Sequence, residues 1–529
     1  MKIKATLGAM AFLGACTSAL PSTDLDATAP DATSGDGSNS DANTGIGRNI
    51  LFVLLDDIGA EEIRSYARDL AAIKRSNPTS VGILDANKNQ IPDGLEDSDG
   101  DGEPDGSIAT PTIDSLASAG VRFTQVWSNP VCSPTRAGIY AGRYVVHHGV
   151  GAPLGDPSTI WAMPHDIPTL PSILKKEGSP YKTALFGKWH LGNINGTLPT
   201  DRGWDYYAGS LDGAVGNYYK WDKVVVDETG KHTSKSTDYV TTVTIDDALA
   251  WITKQSDPWW ATVALNASHT PYAEPPATCL SGKLTGTNDI ALFHKALECA
   301  DHEIARLLDG ISASTLANTT IVLMGDNGTE GPVSQVYAQE RTKASAYQGG
   351  VDVPLIIADG AALKKTQGNS RTGAVVQPGR TVASAVQSVD LFATFAAIMG
   401  SAATSTDSIS MLPYLTSASA APVRNTTYTD AFRYQAADVA KLKASLSDDA
   451  QLTTDQVLAL ERAYVRGAMR NEQYVLIYES QSYKLFDLKN DPFEQTNIWC
   501  NTGDAKSQSE TLAAGMATID KQYPASKCP

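Results

Sequence analysis

The sequence predicts an α/β protein: a large, mostly parallel mixed sheet flanked by helices, followed by a smaller C-terminal α+β domain carrying an antiparallel sheet. Three observations lead there. Continuous apolar runs of strand length recur through most of the chain, helical patterns lie between them, and near the C-terminus the runs become short and closely spaced.

The first run, Asn49–Leu55 (NILFVLL), is apolar after its first residue, as a strand buried on both faces requires. Similar runs lie at Thr183–Phe186, Trp260–Leu265, Thr320–Met324 and Val353–Ile357. The intervening helical patterns are Pro111–Ala119, Leu170–Glu177, Asp246–Lys254, Ala291–Leu308 and Asp390–Met399. In the tail, strands are expected at Tyr464–Met469, Tyr474–Glu479 and Lys484–Asp487, with a helix at Ser509–Lys521. A chain of 529 residues is too long for one small core, so we divide it into a major domain over 48–414 and a subdomain over 415–529.

The N-terminus reads as a targeting segment. Lys2 and Lys4 precede the apolar run Ala5–Leu13, which is too short to span a bilayer. It ends in Leu13-Gly14-Ala15-Cys16, which resembles a bacterial lipobox. Residues 1–16 are thus expected to be a lipoprotein signal peptide with Cys16 acylated; an ordinary signal peptide is the alternative. Residues 17–47 hold five Asp, no basic residue and few large apolar groups, the composition of a flexible stalk. The expected location is that of an exported bacterial lipoprotein in the periplasm, outer membrane or cell surface, touching the membrane only through its lipid.

The formal charge is -17, with no basic cluster, which excludes nucleic-acid binding. Part of that charge lies in residues 61–109, which read as an insertion. Asp85, Asn87, Asn89, Asp93 and Glu96 place oxygens at near-alternate positions, and Asp97, Asp99, Asp101 and Asp105 follow. Calcium takes six to eight oxygens and such loops supply them, so structural Ca²⁺ is expected here; the pattern resembles thrombospondin type 3 repeats. In an exported protein, Cys279, Cys299, Cys500 and Cys528 form an even set. Pairing by closeness gives Cys279–Cys299 and Cys500–Cys528, other pairings remaining open.

Two strand ends carry hard oxygen donors: Asp56-Asp57 after the first run, and Asp326-Asn327 after the run ending at Gly325. Carboxylates there face the crevice where α/β proteins bind ligands, and the four suit Ca²⁺ or Mg²⁺. The chemically decisive stretch is Cys132-Ser-Pro134-Thr-Arg136-Ala-Gly138, continuing to Gly142-Arg143. Cys-x-Pro-x-Arg resembles the signature of the type I sulfatases of the alkaline phosphatase superfamily. Gly187-Lys188-Trp189-His190-Leu191-Gly192, Ser268-His269-Thr270-Pro271, Lys343-x-x-x-Tyr347-Gln348-Gly349-Gly350 and Tyr483–Leu488 before Asn490-Asp491-Pro492 extend the resemblance from about Asn49 to about Asn497.

The resemblance implies the rest. Cys132 would be converted to formylglycine (3-oxoalanine) by a formylglycine-generating enzyme, and one hydroxyl of its hydrate would attack sulfur. Asp56, Asp57, Asp326, Asn327 and residue 132 would hold the cation, and Lys188 and Lys343 would bind sulfate oxygens. His269 would protonate the leaving alcohol, while His190 with Arg136 would hold the diol and assist release of sulfate. The implied substrate is an aryl or carbohydrate sulfate monoester. The chain departs from the family at Gln348, usually Glu, at Asp352, often Arg, and at Ala141, usually Thr.

Two other readings stay open: a phosphomonoester or phosphonate hydrolase of the same superfamily, or an inactive calcium-dependent surface-binding protein. His147 and His148 match no catalytic motif and are taken as structural or pocket-rim residues. Asp301 and Glu303 are expected on a solvated helix face. Tyr144, Tyr206, Tyr207, Tyr218 and Tyr219 serve equally well as core or as pocket walls.

Overall fold

The computed structural model describes residues 47–76, 91–98, 100, 102–256, 258–363, 375–524 and 528. Its strands, in chain order, are β1 Asn49–Leu55, β2 Gly120–Phe123, β3 Val126–Trp127, β4 Lys182–Lys188, β5 Tyr206–Ser210, β6 Trp221–Asp227, β7 Gly230–Ser236 and β8 Trp259–Ala264. They continue with β9 Thr319–Gly325, β10 Leu355–Asp359, β11 Arg380–Val382, β12 Val386–Gln387, β13 Thr427–Tyr434, β14 Arg462–Arg470, β15 Tyr474–Glu479 and β16 Ser482–Asp487.

Ten strands form one mixed sheet in the order β11-β2-β10-β9-β1-β8-β4-β5-β6-β7. At its centre β9, β1, β8, β4 and β5 run parallel, while β10 and β6 run against them. All seven residues of β1 are buried, and they divide between the two faces. Ile50, Phe52 and Leu54 join one hydrophobic cluster; Leu51, Val53 and Leu55 join the other. Helices cover both faces, which is why the central strands read as unbroken apolar runs.

The expected strand at Val353–Ile357 starts two residues later, because Pro354 has no N–H for the ladder. The helices Leu170–Glu177 and Asp390–Met399 fall where the sequence placed them, each closed by a left-handed glycine, Gly178 and Gly400. The helix expected from Asp246 begins earlier, at Val240.

The tail forms the antiparallel sheet β13-β14-β15-β16, with the helix Asp504–Ile519 packed on it. Both disulfides, Cys279–Cys299 and Cys500–Cys528, are present. No helix among the described residues is long and apolar enough to cross a membrane.

Of the expected calcium ligands, Asp85, Asn87, Asn89, Asp99 and Asp101 lie outside the described residues. In the rest of that turn, Asp97 accepts from Gly102 N and Asp105 from Ser98 N and Oγ. Asp301 and Glu303 are not on a solvated face: both are buried. Asp301 accepts from Thr112 N and Ile113 N at the start of the Pro111–Ser118 helix, and Glu303 binds Thr242 Oγ1 and Arg306. The helix Asp289–Gly310 is packed by neighbouring helices on two sides, so its polar residues serve as bridges.

Candidate active site

The site forms where four adjacent strands end. β1 delivers Asp56 and Asp57, β9 delivers Asp326 and Asn327, β4 delivers Lys188 and His190, and the segment after β8 delivers His269. Parallel strands bring these carboxyl ends to one edge of the sheet, although the residues are hundreds of positions apart. Asp57 and His190 both adopt left-handed backbone, with φ of 61° and 59°, at the turns that aim their side chains inward.

Three buried carboxylates face three cations. Asp56 Oδ1 and Oδ2 accept from Lys188 Nζ at 2.9 and 2.6 Å. Asp57 Oδ2 accepts from Lys343 Nζ at 2.6 Å. Asp326 Oδ2 accepts from Arg136 Nε and Nη2 at 3.0 and 2.8 Å. Burial pushes Asp57 up, but Lys343, His269 and Lys188 outweigh it and hold the carboxyl below its ordinary range. Burial raises Asp56 to about 7, against the pull of Lys188.

Cys132 opens the helix Cys132–Ala141, every residue of which is buried. Its Sγ lies 3.2 Å from His190 Nδ1. His190 Nε2 lies 3.2 Å from the Leu154 carbonyl, which can only accept, so Nε2 carries the proton and Nδ1 turns its lone pair to residue 132. Burial, then Lys188 and Arg136, lower this imidazole to about 3 and keep it neutral. Ser133 Oγ donates to His190 O, pinning the same turn. One helical turn after Cys132, Arg136 bridges Asp326 to the Lys188 carbonyl, 2.8 Å from Nη1.

His269 Nδ1 donates to Thr270 O at 2.6 Å, leaving Nε2 3.8 Å from Asp57 Oδ2. Asp56, Asp57 and His269 together offer ligand atoms within 4.8 Å of one another. Asn327 Nδ2 donates to Asp57 Oδ1, while its Oδ1 is buried with no hydrogen-bond partner. A stranded carbonyl oxygen beside three carboxylates fits a hard divalent cation. Asp56, Asp57, Asp326 and Asn327 are the residues that could hold one.

The ten residues expected at the catalytic centre, Asp56, Asp57, Cys132, Arg136, Lys188, His190, His269, Asp326, Asn327 and Lys343, therefore sit together. The departures from the motif play other parts. Gln348 accepts from Trp127 Nε1, Asp352 accepts from Val126 N, and Ala141 O accepts from Ser405 Oγ. His147 pairs with Asp407, and His148 is fully buried and accepts from Val150 N through Nδ1. Tyr207 and Tyr218 are core, and Tyr218 OH lies 2.7 Å from His269 O.

Sequence reasoning missed Glu330, which accepts from Lys343 Nζ at 3.2 Å and from Tyr272 OH. Its place three residues after Asn327 was the available signal. It also missed the Leu154 carbonyl, for which the sequence carries none.

A protein-family model described as Sulfatase matches residues 48–401. Human N-acetylgalactosamine-6-sulfatase is 28% identical over 348 residues, covering 59% of this chain and 62% of that protein. Mouse arylsulfatase J is 41% identical over a shorter stretch of 113 residues, 21% of this chain and 18% of that protein. The chain thus matches less than two thirds of the length of these relatives. Among solved structures, Ps i-CgsB in complex with a neocarrahexaose aligns with a TM-score of 0.64 at 20% identity, covering 90% of this chain and 94% of that one. BT4656 in complex with its substrate D-glucosamine-2-N,6-O-disulfate aligns with a TM-score of 0.59 at 17% identity, covering 90% and 98%.

Proposed function

The chain belongs to the sulfatase family, and from that premise we propose that it hydrolyses sulfate monoesters, with residue 132 as the source of the nucleophile. The observation that carries this reading is the neutral His190, whose Nδ1 lone pair faces residue 132 among three carboxylates and three cations.

Cys132 in this reading is converted to formylglycine, whose hydrate presents two hydroxyls. A Ca²⁺ or Mg²⁺ held by Asp56, Asp57, Asp326 and Asn327 would, when bound, acidify the hydroxyl it touches and neutralise sulfate charge. The chain's own groups do the remainder. Lys188 and Lys343 offer ammonium donors to sulfate oxygens. His269, as an imidazolium, gives its Nε2 proton to the departing oxygen, while its Nδ1–H stays on Thr270 O and fixes the ring. His190 Nδ1 takes the proton of the second hydroxyl, so that sulfate leaves and the aldehyde returns. Arg136 orients this base by gripping the carbonyl of Lys188, two residues before it.

The reading includes an exported lipoprotein acylated at Cys16, supported by the sequence of residues 2–16, and Ca²⁺ in the acidic insertion, supported by its oxygen spacing. The natural substrate class we assign is a carbohydrate or aryl sulfate. Sulfated sugars named with the structural neighbours support the carbohydrate.

The test is steady-state turnover of matched aryl sulfate and aryl phosphate, with a mass spectrum of the peptide holding residue 132. Sulfate turnover that disappears in Cys132→Ala, with an aldehyde at position 132, is expected. Preference for phosphate would favour a phosphomonoester or phosphonate hydrolase; Lys188 and Lys343, which supply the positive charge that such chemistry draws from a second metal, favour sulfate. An intact thiol in the exported, native protein would favour the inactive surface-binding reading.

A further inference from the structure

Two cavities border the site through the neighbours of residue 132, one through Val131 and the other through His190, and they differ in size and charge. One, of about 310 Å³, is walled by His190, Trp161, Asn193 and Asp212, and its lining holds no Lys or Arg. The other, of about 70 Å³, is bounded by Val131 and Ala344, the immediate neighbours of Cys132 and Lys343. Arg433 and Arg466 complete its wall, which contains no carboxylate. The loop 151–155 divides the two: Gly151, Ala152 and Pro153 face the small cavity, Leu154 and Gly155 the large one.

Both arginines come from one face of the C-terminal sheet. Arg466 pairs with Ala431 across β13 and β14, so Ala431, Arg433 and Arg466 project to the same side. Thr429, on that side too, donates to Ser128 O in the segment that leads into Cys132. The sheet face is thereby fixed against the nucleophile's approach. Asp156 engages Arg433 Nη1 at 2.6 Å, and a guanidinium has further donors to offer. The smaller cavity suits a compact charged substituent better than the larger one does, because two guanidinium groups stand in its wall.

We propose that this cavity is a subsite for a second anionic group, a sulfate or carboxylate carried by the leaving alcohol near the scissile ester, and that Arg433 and Arg466 bind it. The planar forks of arginine suit such oxyanions. The substrate would then be a multiply charged ester, its uncharged body on the side of the Asp212 cavity. This rests on the sulfatase reading above.

The experiment compares 4-nitrophenyl sulfate with its 3-carboxylate and 3-sulfonate analogues, in the wild type and in Arg433→Gln, Arg466→Gln and the double variant. The ratio of ratios cancels the electronic effect of the substituent. The double variant is expected to keep kcat/KM on 4-nitrophenyl sulfate within about twofold and to lose about 10- to 100-fold of the preference for the charged analogues. The two analogues also distinguish a sulfate-type from a carboxylate partner. An unchanged preference, or an equal fall on all three substrates, overturns the proposal. Calorimetric binding of the same compounds in a Cys132→Ala background separates it from the sulfatase reading. There, charged analogues that bind no tighter than 4-nitrophenyl sulfate, or equally with and without the arginines, overturn the subsite whatever the turnover.

Discussion

Replacing Gly213 by alanine tests how tightly the base is held. A methyl group at this position would lie 2.3 Å from His190 Nε2 and 2.4 Å from Cε1. Ordinary contact begins at 3.4 Å, so ring or loop must retreat by about 1 Å. The ring is anchored at both nitrogens, to Cys132 Sγ and to Leu154 O, each at 3.2 Å. The loop is anchored as well: Leu211 O accepts from His190 N, and Asp212 Oδ1 accepts from Asn193 Nδ2. A misplacement of about 1 Å at a reacting group costs about 100-fold in rate, and overpacking costs about 1–3 kcal/mol in stability. Gly213→Ala should therefore lower kcat on 4-nitrophenyl sulfate about 100-fold, with KM changed only a few-fold and a modest fall in the urea midpoint. A kcat within about threefold of wild type at an unchanged midpoint would refute the reasoning, because the loop would have yielded and left the imidazole in place.

Three further predictions follow from the buried charges and the cross-links. Arg136→Met leaves Asp326 without its guanidinium in a fully buried setting, and in chelator should cost about 3–5 kcal/mol by urea unfolding. Glu494 is buried, accepts from Gln348 N, and is raised by burial to about 8 from an ordinary 4.5. A raised carboxyl gives its full contribution below the unfolded value and loses it as pH climbs to the folded one. Stability should thus decline between about pH 4.5 and 8, and Glu494→Gln should flatten that slope in urea midpoints measured across the range. Opening the Cys279–Cys299 bridge, which closes 20 residues, by a double serine substitution should cost about 3 kcal/mol, read from the urea midpoint.

The centre of the fold was legible because β1, β4, β8 and β9 are buried on both faces, which leaves a largely apolar run through the middle of each, with polar residues mainly at their ends. The edge was not. The β6–β7 hairpin ends in GKHTSKS, whose side chains are nearly all exposed, so no apolar pattern marks it. β13 hides Thr429 and Asp430 in its buried positions and reads as a loop. The helix Cys132–Ala141 also escaped notice, because burial of all ten residues erases the amphipathic period. In the site, side chains at strand ends announced themselves, whereas the Leu154 carbonyl and the arginines of the C-terminal sheet depend on tertiary approach.

Because the pairs proposed to hold the cation, Asp56-Asp57 and Asp326-Asn327, sit at the ends of strands far apart in the chain, the site has a timetable. Some 195 residues separate Cys132 from Asn327, the last member contributed by β9. At about 5–20 residues per second, a ribosome needs about 10–40 s to make that stretch. Throughout it the thiol belongs to a nascent chain whose sheet still lacks a central neighbour of β1. If the proposed conversion needs an unfolded thiol, it races against synthesis, and slowing or hastening elongation between codons 132 and 327 should change the fraction of molecules that carry the aldehyde.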